Sequence, residues 1–336
     1  MTIVLDRKLF KGNAQLVCDG ATPVQMLEAA NANFRVTPVA AEFGGRQFPQ
    51  HQLWMREDNG VIGDCLGCFG TRRVPQQPAV ITQFFSDFCA HSEKRIKPDV
   101  IGSVNGGKSI YMACRLAGDT SDLHDQNTAG DGGGMGISRA NDERFIAKED
   151  RTEHYLMLVV HYGESLATKA FVLANELVCS NGMALKTVEN TIALHHRALQ
   201  DGLQVEAILN QAIRSSEVYA RMKNRFMHQP LAIADGINLI RQFHDDPQGE
   251  SNVVKNLERI YKYNLIGGEL ETRKDNFWRL ANAQTQYTSH SYVSKQDPGK
   301  TLLSQCQGSK ARGNRDFMAF LESQFTTELS SQMVLA

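Results

Sequence analysis

The chain has 336 residues, 42% of them hydrophobic and 22% charged, so it can bury a large core, and its length allows two domains. Its 36 Lys and Arg side chains nearly balance its 37 Asp and Glu side chains, which gives a formal net charge of −1. This balance excludes a chain-wide electrostatic attraction for nucleic acid or for an anionic membrane. A nucleic-acid site must therefore be a local patch.

Cysteine usage and hydropathy predict the compartment of the protein. Seven cysteines are scattered through mostly apolar surroundings, at Cys18, Cys65, Cys68, Cys89, Cys114, Cys179 and Cys306. Their odd number and scatter predict reduced core thiols rather than a disulfide framework, and so a cytoplasmic protein. The sequence shows no basic-then-apolar leader and no apolar run of about 18 residues, so we expect neither export nor a membrane span.

The N-terminal part is predicted to alternate short strands and helices. Thr2–Leu5 and Phe34–Val39 have the branched residues typical of strands. Between them, Thr22 is a candidate N-cap with Pro23 at the first helical position. A helix is therefore expected to begin at Pro23.

A hairpin, a helix and a second hairpin are predicted next. Residues 52–56 and 61–69 flank Asn59-Gly60, a pair that supplies the positive φ angles of a tight turn. Residues 80–91 carry apolar side chains at helical spacing, whereas 99–116 show the alternation of a hairpin.

The second hairpin contains Gly102–Ser109, which matches the phosphate-binding loop pattern of nucleotide-binding proteins. Such a loop must end a parallel strand and open a helix, whereas Ile110, Met112 and Cys114 alternate with their neighbours as in a strand. We therefore favour the hairpin and keep nucleotide binding as an alternative.

The most apolar segment lies between residues 154 and 197. Tyr155–Val160 and Thr168–Ala174 predict an antiparallel strand pair, and Ser180–Gly182 is expected to cap an amphipathic helix that runs to Leu199. Residues 118–150, just before this segment, form a Gly- and Asp-rich insertion that is longer than an ordinary loop.

Strand patterns nearly vanish after residue 203. Helices are predicted over 205–227, 231–244, 252–263 and 276–290, followed by a polar linker over 297–314 and a terminal helix over 315–325. The predicted fold class is α+β, with an antiparallel, hairpin-rich sheet packed by helices and a mostly helical C-terminal region. We divide the chain into a sheet domain, 1–200, and a helical region, 201–336.

No catalytic or metal-binding constellation stands out. Cys65-Leu-Gly-Cys68 lacks the second ligand pair of a zinc site, so two core cysteines on a strand are favoured. A nucleophile, a base and an orienting group do not occur together in a recognisable pattern. We therefore predict no cofactor, no metal and no enzyme activity.

Cations and aromatic side chains do cluster locally, as binding of single-stranded nucleic acid without sequence specificity requires. Residues 250–315 contain 11 Lys and Arg against 6 Asp and Glu, so this region is basic. The predicted phosphate-binding cations are Arg72, Arg73, Lys108, Arg115, Lys274 and Arg279. Trp54 and Tyr111 are predicted to be exposed and to stack on bases. The alternative is that the cations form solvated faces and the aromatic side chains are buried.

Five segments, in order along the chain, carry a resemblance to a known family: 60–72, 106–116, 155–159, 177–185 and 276–290. The fourth resembles the family's Arg-Val-Val-Cys-x-Asn-Thr-Leu motif, and the fifth its Trp-x-x-x-Asn-Ala-x-Thr-x-Tyr-x-x-His helix. On these segments the chain resembles the DUF932 family of phage- and plasmid-borne proteins, which includes UPF0380 proteins. Met183 stands where the family motif has Thr.

The resemblance implies a protein that handles DNA during mobile-element replication or recombination in the host cell cytoplasm. The sheet-plus-helix layout is similar to that of Rad52-type single-strand annealing proteins, an analogy of fold alone. We therefore expect a homo-oligomer that binds single-stranded DNA and no membrane. The alternatives are a protein-interaction or host-takeover factor of a phage and a nucleotide-binding protein that uses Gly102–Ser109.

Overall fold

The structure is a computed structural model, which describes residues 15–17, 20–91, 96–116, 152–163, 169–176, 181–185, 192–193, 202–291 and 298–334. The predicted strand at Thr2–Leu5 and the insertion at 118–150 lie outside the described residues.

The described strands form two antiparallel sheets. They are β1 (Gln15–Leu16), β2 (Arg35–Phe43), β3 (Arg46–Asp58), β4 (Val61–Gly70), β5 (Ile96–Val104), β6 (Ser109–Leu116), β7 (Thr152–His161), β8 (Lys169–Glu176), β9 (Asn181–Leu185) and β10 (Ile192–Ala193). The main sheet has the order β1-β5-β6-β7-β8-β10, with β9 also paired to β8. The small sheet has the order β2-β3-β4.

The described helices lie mostly in the C-terminal part. They are α1 (Pro23–Ala29), α2 (Pro78–His91), α3 (Gly202–His228), α4 (Ile233–Phe243), α5 (Asn252–Arg259), α6 (Phe277–Gln286), α7 (Pro298–Gln307) and α8 (Ser309–Val334). Two helices continue as π turns, α5 into Ile260–Asn264 and α6 into Tyr287–Ser291. The α+β class is thus confirmed, whereas a domain division at residue 200 stays a prediction.

Three predictions from local sequence patterns are confirmed: the start of α1, the turn between β3 and β4, and the hairpin of β5 and β6. The Thr22 side chain accepts a hydrogen bond from the backbone N–H of Gln25, and Pro23 opens α1. Asn59 and Gly60 have φ angles of 52° and 83° in the turn between β3 and β4. The hairpin of β5 and β6 is also confirmed, since these strands pair from Ile96 and Leu116 to the turn.

The centre of the main sheet, β6 and β7, is buried on both faces. On one face, Met112 and Leu158 join a core that includes α1, α2 and α3. On the other face, Tyr111 and Met157 belong to a second core with α7, where Cys306 Sγ lies 3.8 Å from Met157 Sδ. Two-sided burial explains the unbroken apolar run of β7.

The prediction of a helix after Ser180 is wrong. Residues 181–185 form β9, which pairs with β8 from Val172 to Glu176, and Ile192–Ala193 pairs with the other end of β8. The remaining residues of the predicted helix lie outside the described part. Apolar side chains at short intervals fit either element, and here the unpaired backbone groups of β8 favour a strand.

The prediction of a polar linker over 297–314 is also wrong, because this segment contains α7 and the first six residues of α8. Leu302 and Cys306, four residues apart on α7, are buried against the main sheet. Two apolar positions one turn apart suffice to hold a short helix on a core while its other positions stay polar.

The cysteine prediction is confirmed for some residues only. Cys89, Cys114 and Cys306 are buried and are not joined in disulfides, as expected. Cys65 and Cys68 lie on β4 but are exposed, so their assignment to the core is wrong. Among the described residues, the small sheet packs on the protein through the face that carries Trp54 and Leu66.

The small sheet packs against one end of the main sheet. Arg56 Nη1 donates to the carbonyl oxygen of Gly106 at 3.1 Å, and the rings of Phe34 and Tyr162 meet edge-on with centroids 6.2 Å apart. The approach is closest at Gly67, where an added Cβ would lie 2.5 Å from the Tyr162 carbonyl oxygen. Glycine is therefore required at this contact.

The outer edge of β2 is closed near its start. The Gln77 side chain accepts from the backbone N–H of Val36 and donates to the Val36 carbonyl, both at 2.9 Å. Two residues further along the strand, Pro38 has no N–H to offer.

Replacing Gly67 with alanine should lower the free energy of unfolding by about 1–3 kcal/mol, because the new methyl group must push the two sheets apart. Urea unfolding measures this change. The matched control is Gly63→Ala on the same strand, where the nearest atom to a new Cβ, the Arg56 carbonyl oxygen, lies at 3.7 Å. Equal stability of the two variants would contradict this close packing of the two sheets.

Candidate nucleic-acid interface

The two aromatic side chains predicted to stack on bases are buried, so their predicted exposure is wrong. Trp54 is 2% exposed and packs on Phe69 with ring centroids 4.0 Å apart. Tyr111 is fully buried in the second core, and its ring lies so close to Gly102 that a side chain there would overlap it. Both rings fill cores because each lies on a sheet face that other elements cover.

The four predicted cations in the sheet region have different surroundings. Arg72 and Lys108 are exposed, in the loop after β4 and in the turn before β6. Arg73 lies over the Phe69 ring at 4.8 Å, and Arg115 pairs with Glu153 at 3.7 Å. Arg72 and Lys108 thus remain the more accessible of these cations.

The two predicted cations of the helical region also make internal contacts. The Arg279 guanidinium donates to the carbonyl oxygen of Tyr261 at 2.8 and 3.1 Å and to that of Lys262 at 3.3 Å. Lys274 is exposed and forms an ion pair with Glu271. The Arg279 side chain therefore stabilises the backbone of the π turn that follows α5.

The Gly102–Ser109 segment does not have the geometry of a phosphate-binding loop. It spans the end of β5, a turn and the start of β6, and it leads into a strand instead of a helix. The backbone groups of Lys108 are used by the fold, since its N–H donates to Asn105 and its carbonyl accepts from Tyr162 at 2.7 Å. The nucleotide-binding alternative loses its structural basis.

A basic face that we did not predict lies on α5 and the π turn that continues it. Lys255, Arg259 and Tyr263 follow each other at intervals of four residues, and all three are exposed. Tyr263 is 80% exposed. Spacing by four places side chains on one side of a helix, so two cations and one aromatic ring share this side. We call these three residues the α5 face.

The charges around the α5 face leave its cations available. Glu258 on the same helix pairs with Arg241 at 2.7 Å and with Lys262 at 3.7 Å. Arg259 donates to the Asn256 side chain at 3.5 Å. Within the described ranges, Lys255 and Arg259 form no ion pair. The acidic group closest in sequence is thus already neutralised by other cations.

The π turn is held in place by α6. Besides Arg279, the buried Gln286 donates to the Asn264 carbonyl at 2.7 Å and accepts from the Ile266 N–H at 2.9 Å. These contacts satisfy backbone groups that a widened turn leaves without helical partners. The side of the turn that faces α6 is therefore fixed, and Tyr263 lies on the solvent side.

A loop fixes the other end of α5. Asp246 accepts from the backbone N–H groups of Ser251 at 2.9 Å and Glu250 at 3.1 Å, and Ser251 caps the helix by accepting from Val254. Hydrogen bonds from Ser251 lower the pKa of the Asp246 carboxyl to about 2, below its ordinary value of 3.8. Both ends of the α5 face are thus anchored.

Helix α6 itself is almost entirely buried although it is rich in polar residues. Asn282 donates to the Trp278 carbonyl at 2.8 Å, and Gln284 lies 3.4 Å from the Asn314 side chain.

The described residues contain no cluster of three or more His, Cys, Asp or Glu placed to hold a metal ion. None of the described helices is both long and apolar enough to cross a membrane.

The described residues form an α+β protein with a basic face on α5. Residues 66–307, more than two thirds of the chain, match the model of a domain of unknown function, DUF932. The chain therefore belongs to the DUF932 family. Neither the curated proteins nor the solved structures compared with it gave a match. The similarity to Rad52-type proteins therefore stays a hypothesis.

Replacing Arg279 with alanine should lower the free energy of unfolding by about 2–3 kcal/mol, because charged hydrogen bonds to buried carbonyl groups are lost. Arg279→Lys should restore only part of this, since an ammonium group cannot span both carbonyl oxygens. Urea unfolding measures both variants, with the exposed Arg221→Ala on α3 as control. An unchanged stability of Arg279→Ala would show that the side chain is not structural.

The Asp246 contacts should make stability depend on pH in the acid range. Because the folded-state pKa is about 2 and the ordinary value is 3.8, this stabilisation is complete above 3.8 and is lost as the pH falls towards 2. Asp246→Asn should therefore be less stable than wild type at pH 5, with a difference that shrinks towards pH 2. Urea unfolding across this range tests it, and parallel curves would contradict it.

Proposed function

We propose that the protein is a phage- or plasmid-encoded single-strand nucleic-acid-binding protein that acts in mobile-element DNA replication or recombination, by strand annealing. The observation that carries the binding proposal is the α5 face, where an exposed ring lies beside two cations that form no ion pair with the described acidic residues. The mobile-element setting comes from the family resemblance.

The α5 face has the two components that such binding needs. Lys255 and Arg259 can neutralise neighbouring phosphates, and the Tyr263 ring can stack on a base, which contributes about 1–3 kcal/mol per base. Helix α6 and the Asp246 loop hold α5 in place at both ends. Binding therefore loses little conformational entropy in the backbone of this helix.

The chemistry of the face favours single strands over duplexes. A base within a duplex is already stacked on both sides, whereas a single strand presents unstacked bases to an aromatic side chain. The chain as a whole is nearly neutral and does not attract nucleic acid over long distances. We therefore expect a moderate affinity that falls as salt is added.

A second candidate function, a protein-interaction factor, has its own observation. Phe43 is 84% exposed and Phe48 is 43% exposed, close to the turn between β2 and β3. Exposed aromatic side chains on a projecting hairpin are typical of protein contacts. This hairpin and the α5 face can be changed independently, so Phe43→Ala shows whether the hairpin contributes to oligonucleotide binding.

Fluorescence anisotropy with a labelled oligonucleotide at low salt should show binding that Tyr263→Ala weakens by about 5- to 150-fold, the equivalent of one lost stacking contact. Tyr263→Phe should bind like wild type, because stacking needs only the ring. Lys255→Ala/Arg259→Ala should reduce the slope of log affinity against log salt by about 1.4, since each phosphate contact to a single strand contributes about 0.7.

Two controls make this titration decisive. Arg221→Ala removes an exposed cation of α3, and Phe43→Ala removes an exposed ring of the small sheet. Both should bind the oligonucleotide like wild type. Absence of binding at low salt overturns the proposed function, and loss of binding in Phe43→Ala alone would move the interface to the hairpin.

A further inference from the structure

The outer face of the small sheet is exposed and mostly apolar. It is the side of β3 opposite the buried Trp54, because neighbouring residues of a strand point to opposite faces. Strand pairing arranges it in three rows, Val39-Leu53-Cys68, Thr37-Met55-Cys65 and Arg35-Glu57-Ile62. We use the name outer face for these nine residues.

The two exposed thiols lie on this same side because β4 is irregular. Cys65 and Cys68 are three residues apart, which would place them on opposite sides of a regular strand. The pairing shifts between Trp54 and Met55, so Cys68 pairs with Leu53 and Cys65 with Met55. A bulge at Leu66 turns that side chain into the core and brings both thiols outward.

The exposure of this face is unusual for an antiparallel sheet. The solvent side of such a sheet normally carries polar side chains, whereas here Val39 is 37% and Ile62 is 52% exposed and both cysteines are exposed. Six of the nine side chains are aliphatic or sulfur-containing. Contiguous apolar surface of this kind marks an interaction site.

We infer that the outer face is a self-association surface, on which a second copy of the chain packs its own small sheet face to face. The centre of the face is uncharged, so two identical copies meet there without like-charge repulsion. At its border Arg35 lies beside Glu57, and a twofold axis lets Arg35 of one copy approach Glu57 of the other.

The size of the face limits it to a weak dimer. Each residue on one side of a sheet covers about 6.6 Å along its strand and about 4.8 Å across, so the nine residues offer about 300 Å² per copy. A standard interface buries about 800 Å² per partner. Nucleic acid is disfavoured as the occupant, because Arg35 is the one cation of the face and lies beside a carboxylate.

Thiol cross-linking without nucleic acid tests the inference. A bismaleimide with a spacer of about 10 Å, the separation of packed sheets, should couple two copies of the wild-type chain into a covalent dimer. Cys65→Ser/Cys68→Ser should give no dimer. Persistence of the dimer in the double variant, or its absence in the wild type, overturns the inference.

Sedimentation equilibrium supplies the second measurement. The wild type should dimerise between about 1 and 100 µM, and Leu53→Glu should weaken the dimer by at least about tenfold, because two like charges would meet near the axis. Val80→Glu, at a 61% exposed position on α2, is the matched control. If Leu53→Glu loses its circular-dichroism spectrum, the exposed Val39→Glu replaces it.

The outcomes separate this inference from the proposed function. A wild type that is monomeric at all concentrations, or a Leu53→Glu chain that dimerises like wild type, overturns self-association whatever the oligonucleotide titration shows. An oligonucleotide affinity that falls in Leu53→Glu while the mass stays that of a monomer would assign the outer face to nucleic acid and also overturns it.

Discussion

Burial of the main sheet on both faces is the constraint on which the rest of the structure depends. Apart from Arg115 and Glu153, the side chains of β6 and β7 are buried, so the backbone groups there must be paired within the sheet. Helices α1, α2 and α3 cover one face, and α7 covers the other. The family-like segments 106–116 and 155–159 lie in these central strands, so much of the resemblance records the packing of a core.

Elements specified by neighbouring residues could be predicted from the sequence, and elements specified by distant partners could not. Asn59-Gly60 is a turn whatever lies around it, and Pro23 after Thr22 starts a helix by itself. In contrast, residues 181–185 are a strand because β8 needs a partner, and α7 is a helix because a sheet face needs a cover. These contacts join residues that are distant in sequence, so they exist only in the folded chain.

In the candidate site, too, residue type and local spacing could be predicted from the sequence, whereas contacts with distant residues could not. Residue type identified Arg279 as a cation, but its partners are carbonyl groups of another helix, which no local pattern contains. Likewise, Trp54 and Tyr111 are aromatic residues that the cores use. Lys255, Arg259 and Tyr263 lie within the helix predicted over 252–263, and their spacing of four residues is the signal that places them on one side of it.

The closed edge of β2 affects how such a protein can assemble. Sheets grow into fibres when each added strand leaves a free edge for the next one. At β2 the Gln77 amide occupies the donor and acceptor of Val36, and the next outward position, Pro38, has no donor. Strand-by-strand growth is blocked on this side, so the small sheet is protected against amyloid-like polymerisation even though its face is apolar.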